Sequence, residues 1–310
     1  MKIAFLFPGQ GSQTVGMARD IIENYPVAKD VFAEAGSVLG YDLASLCVNG
    51  PADKLNLTET TQPAILTASI AILRVLEGKG VTADAAAGHS LGEYTAITAA
   101  GGFAFRDAVS LVRKRGRYMQ EAVPGGVGLM AAILGMERAA VEKTCLEAAK
   151  NGIVAPANYN SPGQIVIAGE KRAVETAMEM AKAAGAKKVV PLAVSVPSHC
   201  SMMKDAGEKL ARDLDKVAIS DLRIPIVNNA DAKFLRTATE LRPSLLRQIS
   251  SPLYWEDSIN RLTADGYDTF IEIGPGRVLS GLVKRIAKDG KVLNVEDLKS
   301  LTETLAALGK

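Results

Sequence analysis

Between residues 126 and 194 the chain changes rhythm. Val127 to Leu134 reads as a strand, residues 137–150 as a helix, and Ile153 to Asn158 as a second strand. The Ser161-Pro162-Gly163 turn leads into a strand from Gln164 to Ala168, a helix over 170–184 and a strand from Lys187 to Leu192. The order β-α-β-β-α-β is that of a ferredoxin-like unit. It starts directly after Pro124-Gly125-Gly126. Residues 126–194 are therefore expected to form a small domain inserted into a larger one, made of residues 1–125 and 195–310.

The larger part alternates strands and helices. Ile3 to Phe7 is an apolar run ending at Pro8-Gly9 and reads as a buried strand. Helices follow at 17–24 and 26–39. A longer one begins near Thr60-Thr61, with Pro63 in its first turn, and runs to about Glu77. Ala83 to Gly88 reads as a short strand, and Leu91 to Ala100 and 104–122 as helices. Beyond the insertion come a helix from Ser201 to Val217, a short strand at Ile226-Val227 and helices near 241–250 and 254–265. A strand from Thr269 to Ile273, a helix from Val278 to Lys288, a strand from Val292 to Val295 and a last helix complete the chain. The pattern predicts an α/β-hydrolase-like domain, a parallel doubly wound sheet with helices on both faces.

Composition narrows the function. Of 310 residues, 36 are Lys or Arg and 34 are Asp or Glu, giving a formal net charge of +2. That balance does not suit a bulk nucleic-acid binder. Cys47, Cys145 and Cys200 are widely spaced and form neither a disulfide framework nor a metal-ligand pattern. A reducing, cytoplasmic compartment is expected, with no metal. No charge-free apolar run reaches the ~18 residues of a membrane span, and no signal peptide is read at the N-terminus.

The Gly88-His89-Ser90-Leu91-Gly92 run lies between a strand and a helix. Its glycines permit a sharp turn that pushes the Ser90 hydroxyl outward, where the helix N-terminus favours a developing oxyanion. The same five residues also fit a plain turn with a capping serine. A nucleophilic serine needs a base, and the chain has only two histidines, His89 and His199. Adjacent side chains on an elbow diverge, which leaves His199, in Ser195-Val196-Pro197-Ser198-His199-Cys200. With an ordinary imidazole pKa, acylation is expected to fall in acid near about 6.5. Asp205, Asp231 and Asp257 are candidate partners for the imidazole and none is singled out; an amide or a backbone carbonyl serves the same logic.

Pro8-Gly9-Gln10-Gly11 is a glycine-rich turn without the Gly-Lys-Ser/Thr of a phosphate loop. It can supply the Gln10 N–H to an oxyanion hole, or be a tight turn before a helix cap. On the 104–122 helix, Arg113, Lys114 and Arg117 read as a solvated face. Helical geometry turns Arg115 the other way. A buried arginine needs an acidic partner, in the protein or on a substrate.

Phe7-Pro8-Gly9-Gln10-Gly11-Ser12-Gln13, Gly88-His89-Ser90-Leu91-Gly92-Glu93-Tyr94, Arg115-Gly116-Arg117-Tyr118-Met119-Gln120, Val196-Pro197-Ser198-His199 and Glu272-Ile273-Gly274-Pro275-Gly276 occur in this order. In that combination the chain resembles the malonyl-CoA:acyl carrier protein transacylases of type II fatty acid synthesis, over nearly its whole length. The resemblance implies that Ser90 takes the malonyl group as an ester and His199 is its base. It implies that Arg115 pairs with the malonyl carboxylate, and that the Gln10 and Leu91 amides form the oxyanion hole. Gln248 matches a glutamine whose main-chain carbonyl orients the histidine, and Asn160 matches a position where the family's small domain faces the cleft.

The implied activity is a ping-pong transfer from malonyl-CoA to the phosphopantetheine thiol of acyl carrier protein, without a cofactor, nucleic acid or membrane. A stand-alone acyltransferase of a polyketide synthase shares the motifs. A serine esterase fits the elbow alone, and Arg115 argues against it; a non-enzymatic carrier-binding scaffold conflicts with Ser90 and His199. Lys187-Lys188 and Lys284-Arg285 are candidate contacts for an acidic carrier or CoA phosphates, and equally suit a solvated surface.

Overall fold

The structure is a computed structural model and describes residues 1–192 and 196–310. Its strands are β1 (Ile3–Phe7), β2 (Ala85–Gly88), β3 (Gly128–Leu134), β4 (Val154–Ser161), β5 (Gln164–Glu170), β6 (Lys188–Pro191), β7 (Ile226–Val227), β8 (Phe234–Leu235), β9 (Leu253–Tyr254), β10 (Thr269–Ile273) and β11 (Lys291–Val295). They form two sheets in a mixed α/β chain, ordered β11-β10-β1-β2-β7-β8 and β6-β3-β5-β4-β9.

β1 is apolar at every position because both faces of the first sheet are covered. Ala4 and Leu6 pack with Trp255, Ile259 and Phe270 on one side, while Phe5 and Phe7 join the larger cluster on the other. From β11 to β7 all neighbours are parallel, but β8 runs antiparallel to β7. The expectation of a wholly parallel sheet fails at this edge for a geometric reason. The β7–β8 link is a tight turn closed by Asn228 N donating to Lys233 O at 3.0 Å, and a parallel crossover needs far more chain.

In the second sheet β3 pairs antiparallel with β5 and β6, and β4 pairs antiparallel with β5. The helices Arg138–Ala148 and Lys171–Ala183 bury Val141, Cys145, Val174 and Ala177 against it. The fifth strand, β9, was not expected; it comes from outside residues 126–194 and pairs parallel with β4. The expected boundary at residues 194 and 195 lies outside the described residues.

Other departures are local. The long helix spans Thr58–Gly78, because the Leu57 carbonyl accepts the Thr60 and Thr61 N–H groups at 2.8 Å each, so Pro63 lies beyond the first turn. The helix expected from 241 spans Ala238–Ser250, started by a Thr237–Glu240 capping box. Leu43–Asn49 and Ala52–Leu55 are short helices that periodicity does not reveal. The helix Phe105–Ala122 crosses Thr58–Gly78 at Gly116, where a Cβ would stand 2.5 Å from the Thr58 carbonyl oxygen. That close approach brings Arg115 beside Gln62. All three cysteines are buried and free. Among the described residues no single helix is long and apolar enough to cross a membrane.

Candidate active site

The turns that leave the carboxyl ends of β1 and β2 open into one cleft, where doubly wound sheets gather their sites. Its opposite wall comes from Met130, Asn160 and Val166 of the second sheet, and from Val278 and Leu282.

Ser90 sits at the sharp turn between β2 and the helix Leu91–Ala99, with φ 54° and ψ −104°. A non-glycine residue holds that conformation only where its surroundings enforce it. The flanking glycines do the enforcing by close approach. A Cβ on Gly88 would lie 1.9 Å from Gly92 backbone atoms, and one on Gly92 would lie 2.0 Å from the Phe7 carbonyl oxygen. The turn delivers Ser90 Oγ to within 2.8 Å of His199 Nε2 and 3.1 Å of Arg115 Nη2.

His199 is buried, and its Nδ1 lies 2.8 Å from the Gln248 carbonyl oxygen. A carbonyl only accepts, so Nδ1 carries the proton and Nε2 is free to accept from the Ser90 hydroxyl. Gln248 is in the last turn of Ala238–Ser250, where helix geometry leaves carbonyls without partners. Burial, then the nearby Arg115 guanidinium, push the His199 imidazole down to about 3. None of the three acid candidates reaches it. Asp231 pairs with Arg247 and Asp257 with Arg138, and Asp205 makes no bond to either ring nitrogen. His89 turns away from Ser90 as expected. Its Nε2 donates to Asn160 Oδ1 at 2.9 Å, its ring meets Trp255 edge-on at 5.6 Å, and burial lowers its pKa.

Arg115 is 1% exposed. Its Nη1 donates to Gln62 Oε1 at 2.9 Å and its Nη2 to Gln248 Oε1 at 3.0 Å, and the guanidinium stands 5.1 Å from the Tyr94 ring. Among the described residues no carboxylate forms an ion pair with it; the nearest buried acid, Glu93, reaches it only through the Gln248 amide. Lys114 and Arg117 do pair, with Asp213 at 2.7 Å and Glu121 at 3.7 Å, and Arg113 donates to the Leu39 carbonyl. Gln10 and Leu91 both line the cleft, and no intrachain acceptor takes either backbone N–H among the described residues.

Three contributors are given no role in the sequence reading. Asn229 holds the elbow from both sides, accepting Ser90 N at 2.7 Å and donating Nδ2 to the Gly88 carbonyl at 2.8 Å. Glu93 accepts Asn229 N and Gln248 Nε2 at 3.0 Å each. Gln62 meets Arg115. Glu93 was within reach, since it directly follows the glycine elbow, and an Asn228-Asn229 pair ending a strand is a polar signal at a sheet edge. Gln62, beside Pro63 in a helix, carries no such signal. Glu272 of the fifth motif serves structure: its carboxylate takes the Leu279 and Ser280 amides at 3.0 and 2.7 Å and caps the helix Val278–Ile286.

The chain is similar to known proteins over nearly its whole length. The acyl transferase domain family matches residues 4–304. The malonyl CoA-acyl carrier protein transacylase of Escherichia coli (strain K12) is 52% identical over 286 residues, covering 92% of this chain and 93% of its own. That of Bacillus subtilis (strain 168) is 48% identical over 308 residues, covering 99% and 97%. A solved malonyl-transacylase, in complex with its type II PKS acyl-carrier protein, superposes with a TM-score of 0.97 at 48% identity, covering 99% of this chain and all (100%) of that one. By family match over residues 4–304 and by identity to full-length relatives, the chain belongs to the acyl transferase family, among the malonyl CoA-acyl carrier protein transacylases.

Proposed function

We propose that this chain moves the malonyl group from malonyl-CoA to the phosphopantetheine thiol of an acyl carrier protein through an ester on Ser90. The observation that carries the reading is Arg115: a buried cation 3.1 Å from the serine hydroxyl, paired with no carboxylate among the described residues. Such a charge is costly to bury unless something completes it. The free carboxylate of a malonyl group does so, with two parallel hydrogen bonds to the guanidinium.

His199 Nε2 takes the Ser90 proton as Oγ attacks the thioester carbonyl. The tetrahedral oxyanion is received by the Gln10 amide, in the turn after β1, and the Leu91 amide, at the N-terminus of Leu91–Ala99. When the C–S bond breaks, His199 returns the proton to the CoA sulfur and the malonyl ester remains. The carrier thiol then gives its proton to His199, attacks the ester, and leaves as malonyl thioester while Oγ regains the proton. Gln248 keeps the imidazole in the required tautomer throughout. Asn160 keeps its amide NH2 for a substrate oxygen, since His89 occupies its Oδ1.

The sheet order supports an α/β-hydrolase-like domain of residues 1–125 and 195–310, with a ferredoxin-like domain of 126–194 inserted. The free cysteines are in keeping with a cytoplasmic enzyme. Fatty acid synthesis is the process served; a polyketide carrier would use the same chemistry, and transfer assays with both carriers separate the two. The central test is intact-protein mass spectrometry after mixing with malonyl-CoA. One malonyl adduct, mapped to Ser90 and discharged by holo carrier protein, is expected. An unmodified chain, or an adduct elsewhere, would sink the reading.

A further inference from the structure

Three backbone groups define the serine elbow: the Gly88 carbonyl, the Ser90 amide and the Ser90 carbonyl. Asn229 holds the first two at 2.8 and 2.7 Å, and Gln248 Nε2 holds the third at 2.8 Å. Both residues rest on one atom. Glu93 Oε2 accepts the Asn229 amide and Gln248 Nε2, each at 3.0 Å. Glu93 is fully buried in the first turn of Leu91–Ala99, and its Oε1 has no partner among the described residues.

An acceptor on Glu93 decides which way the Gln248 amide points. It draws Nε2 to itself, and this turns Oε1 toward Arg115 Nη2 at 3.0 Å. A flipped amide would set oxygen against carboxylate and N–H against guanidinium. Gln248 is therefore a neutral bridge between a buried acid and a buried cation that form no ion pair with each other. A carboxylate arriving on Arg115 becomes a second acid on the same cation, and like charges in one site oppose each other's ionisation.

We propose that Glu93 is a positioning residue for acyl selection: through the Gln248 amide it shares the Arg115 guanidinium with the acyl carboxylate, so its own charge sets how firmly that carboxylate is held. This rests on the malonyl reading above. Of the charged groups that face it, Arg115 on Phe105–Ala122 favours the ionised carboxyl and Asp231, in the turn after β7, opposes it. Burial opposes it more strongly and moves Glu93 up to about 7. Glu93 thus changes charge where a malonyl carboxylate stays ionised. Neutral, it leaves Arg115 to the substrate; ionised, it competes.

The experiment is the ratio of kcat/KM for malonyl-CoA to that for acetyl-CoA, measured on the full chain from pH 5.5 to 8.5. Both thioesters use Ser90 and His199, so the titration of those groups cancels in the ratio. In wild type the ratio is expected to fall about three- to tenfold as pH rises through about 7. Glu93→Gln keeps the size and one acceptor but cannot ionise, and its ratio is expected to be flat. A flat wild-type ratio overturns the proposal without any variant, and so does a slope that survives in Glu93→Gln. Failure of wild type to form any malonyl adduct would overturn the malonyl reading instead.

Discussion

His199 Nδ1 lies 2.8 Å from the main-chain oxygen of Gln248, at a helix end, and among the described residues no carboxylate stands behind the ring. A neutral acceptor fixes the tautomer without stabilising an imidazolium as an acid would. Burial and Arg115 accordingly hold His199 down at about 3, which revises the loss of activity at about 6.5 expected from an ordinary histidine. Acyl-enzyme formation at malonyl-CoA well below KM, which reports the free enzyme, should stay on its plateau well below pH 6, as followed by rapid quench. A midpoint at the free-histidine value would contradict this. Stability behaves differently. Between about 6.5 and about 3 the unfolded chain binds this proton and the folded chain does not, so stability falls as pH drops through that window. Thermal melts should decline there before the chemistry does.

Ser90→Ala is expected to lower acyl-enzyme formation on the order of a million-fold, the scale seen when a serine nucleophile is lost. His89→Ala should instead act on folding, because its ring bonds Asn160 and packs on Trp255. Single-turnover acylation beside the melting temperature separates the two. A His89→Ala protein that melts normally yet acylates as poorly as His199→Ala would reverse the assignment.

Arg115→Ala should remove roughly 2 to 5 kcal/mol from malonyl transfer, the range for truncating one partner of a buried charge pair. Acetyl transfer should hold or improve, since the variant no longer buries a cation beside a neutral acyl group. Arg115→Lys should recover part of the malonyl activity, because an ammonium cannot make the paired bonds. The deciding quantity is the malonyl-to-acetyl ratio of kcat/KM in the three proteins at one pH. An unchanged ratio would leave Arg115 with structure alone.

Gly92→Ala places a Cβ 2.0 Å from the Phe7 carbonyl, a contact that backbone must move to relieve. A loss of about 3 kcal/mol or more in stability is expected. Chemical denaturation would show it, and a variant as stable as wild type would mean the elbow is looser than its geometry.

The parts of the site that the sequence makes legible are those whose constraint is local. Gly88 and Gly92 flank Ser90 because the turn demands it, and helical spacing alone turns Arg115 inward. His199 follows from a count of two. Gln248 is different, because a main-chain carbonyl has no side-chain signature, and only the family resemblance brings it forward. Asn229 and Glu93 meet across 136 residues, a pairing that exists only after the sheet is built. β8 and β9 are two residues each, too short for any periodicity to register.

β9 alters the mechanics of the cleft. The chain enters the second sheet's principal segment on β3 and leaves it on β6, where Ala131 pairs with Pro191 and the Leu192 N–H donates to the Met130 carbonyl. A body fastened along one line can swing about it. β9 fastens that sheet elsewhere: Leu253 and Tyr254 pair with Asn158 and Tyr159, and the Tyr254 N–H reaches back to the Asn229 carbonyl at 2.9 Å. Asn229 also grips the serine turn. The far wall and the reacting hydroxyl thereby share one bracket, and the gap between them is expected to vary less than a single line of attachment would allow.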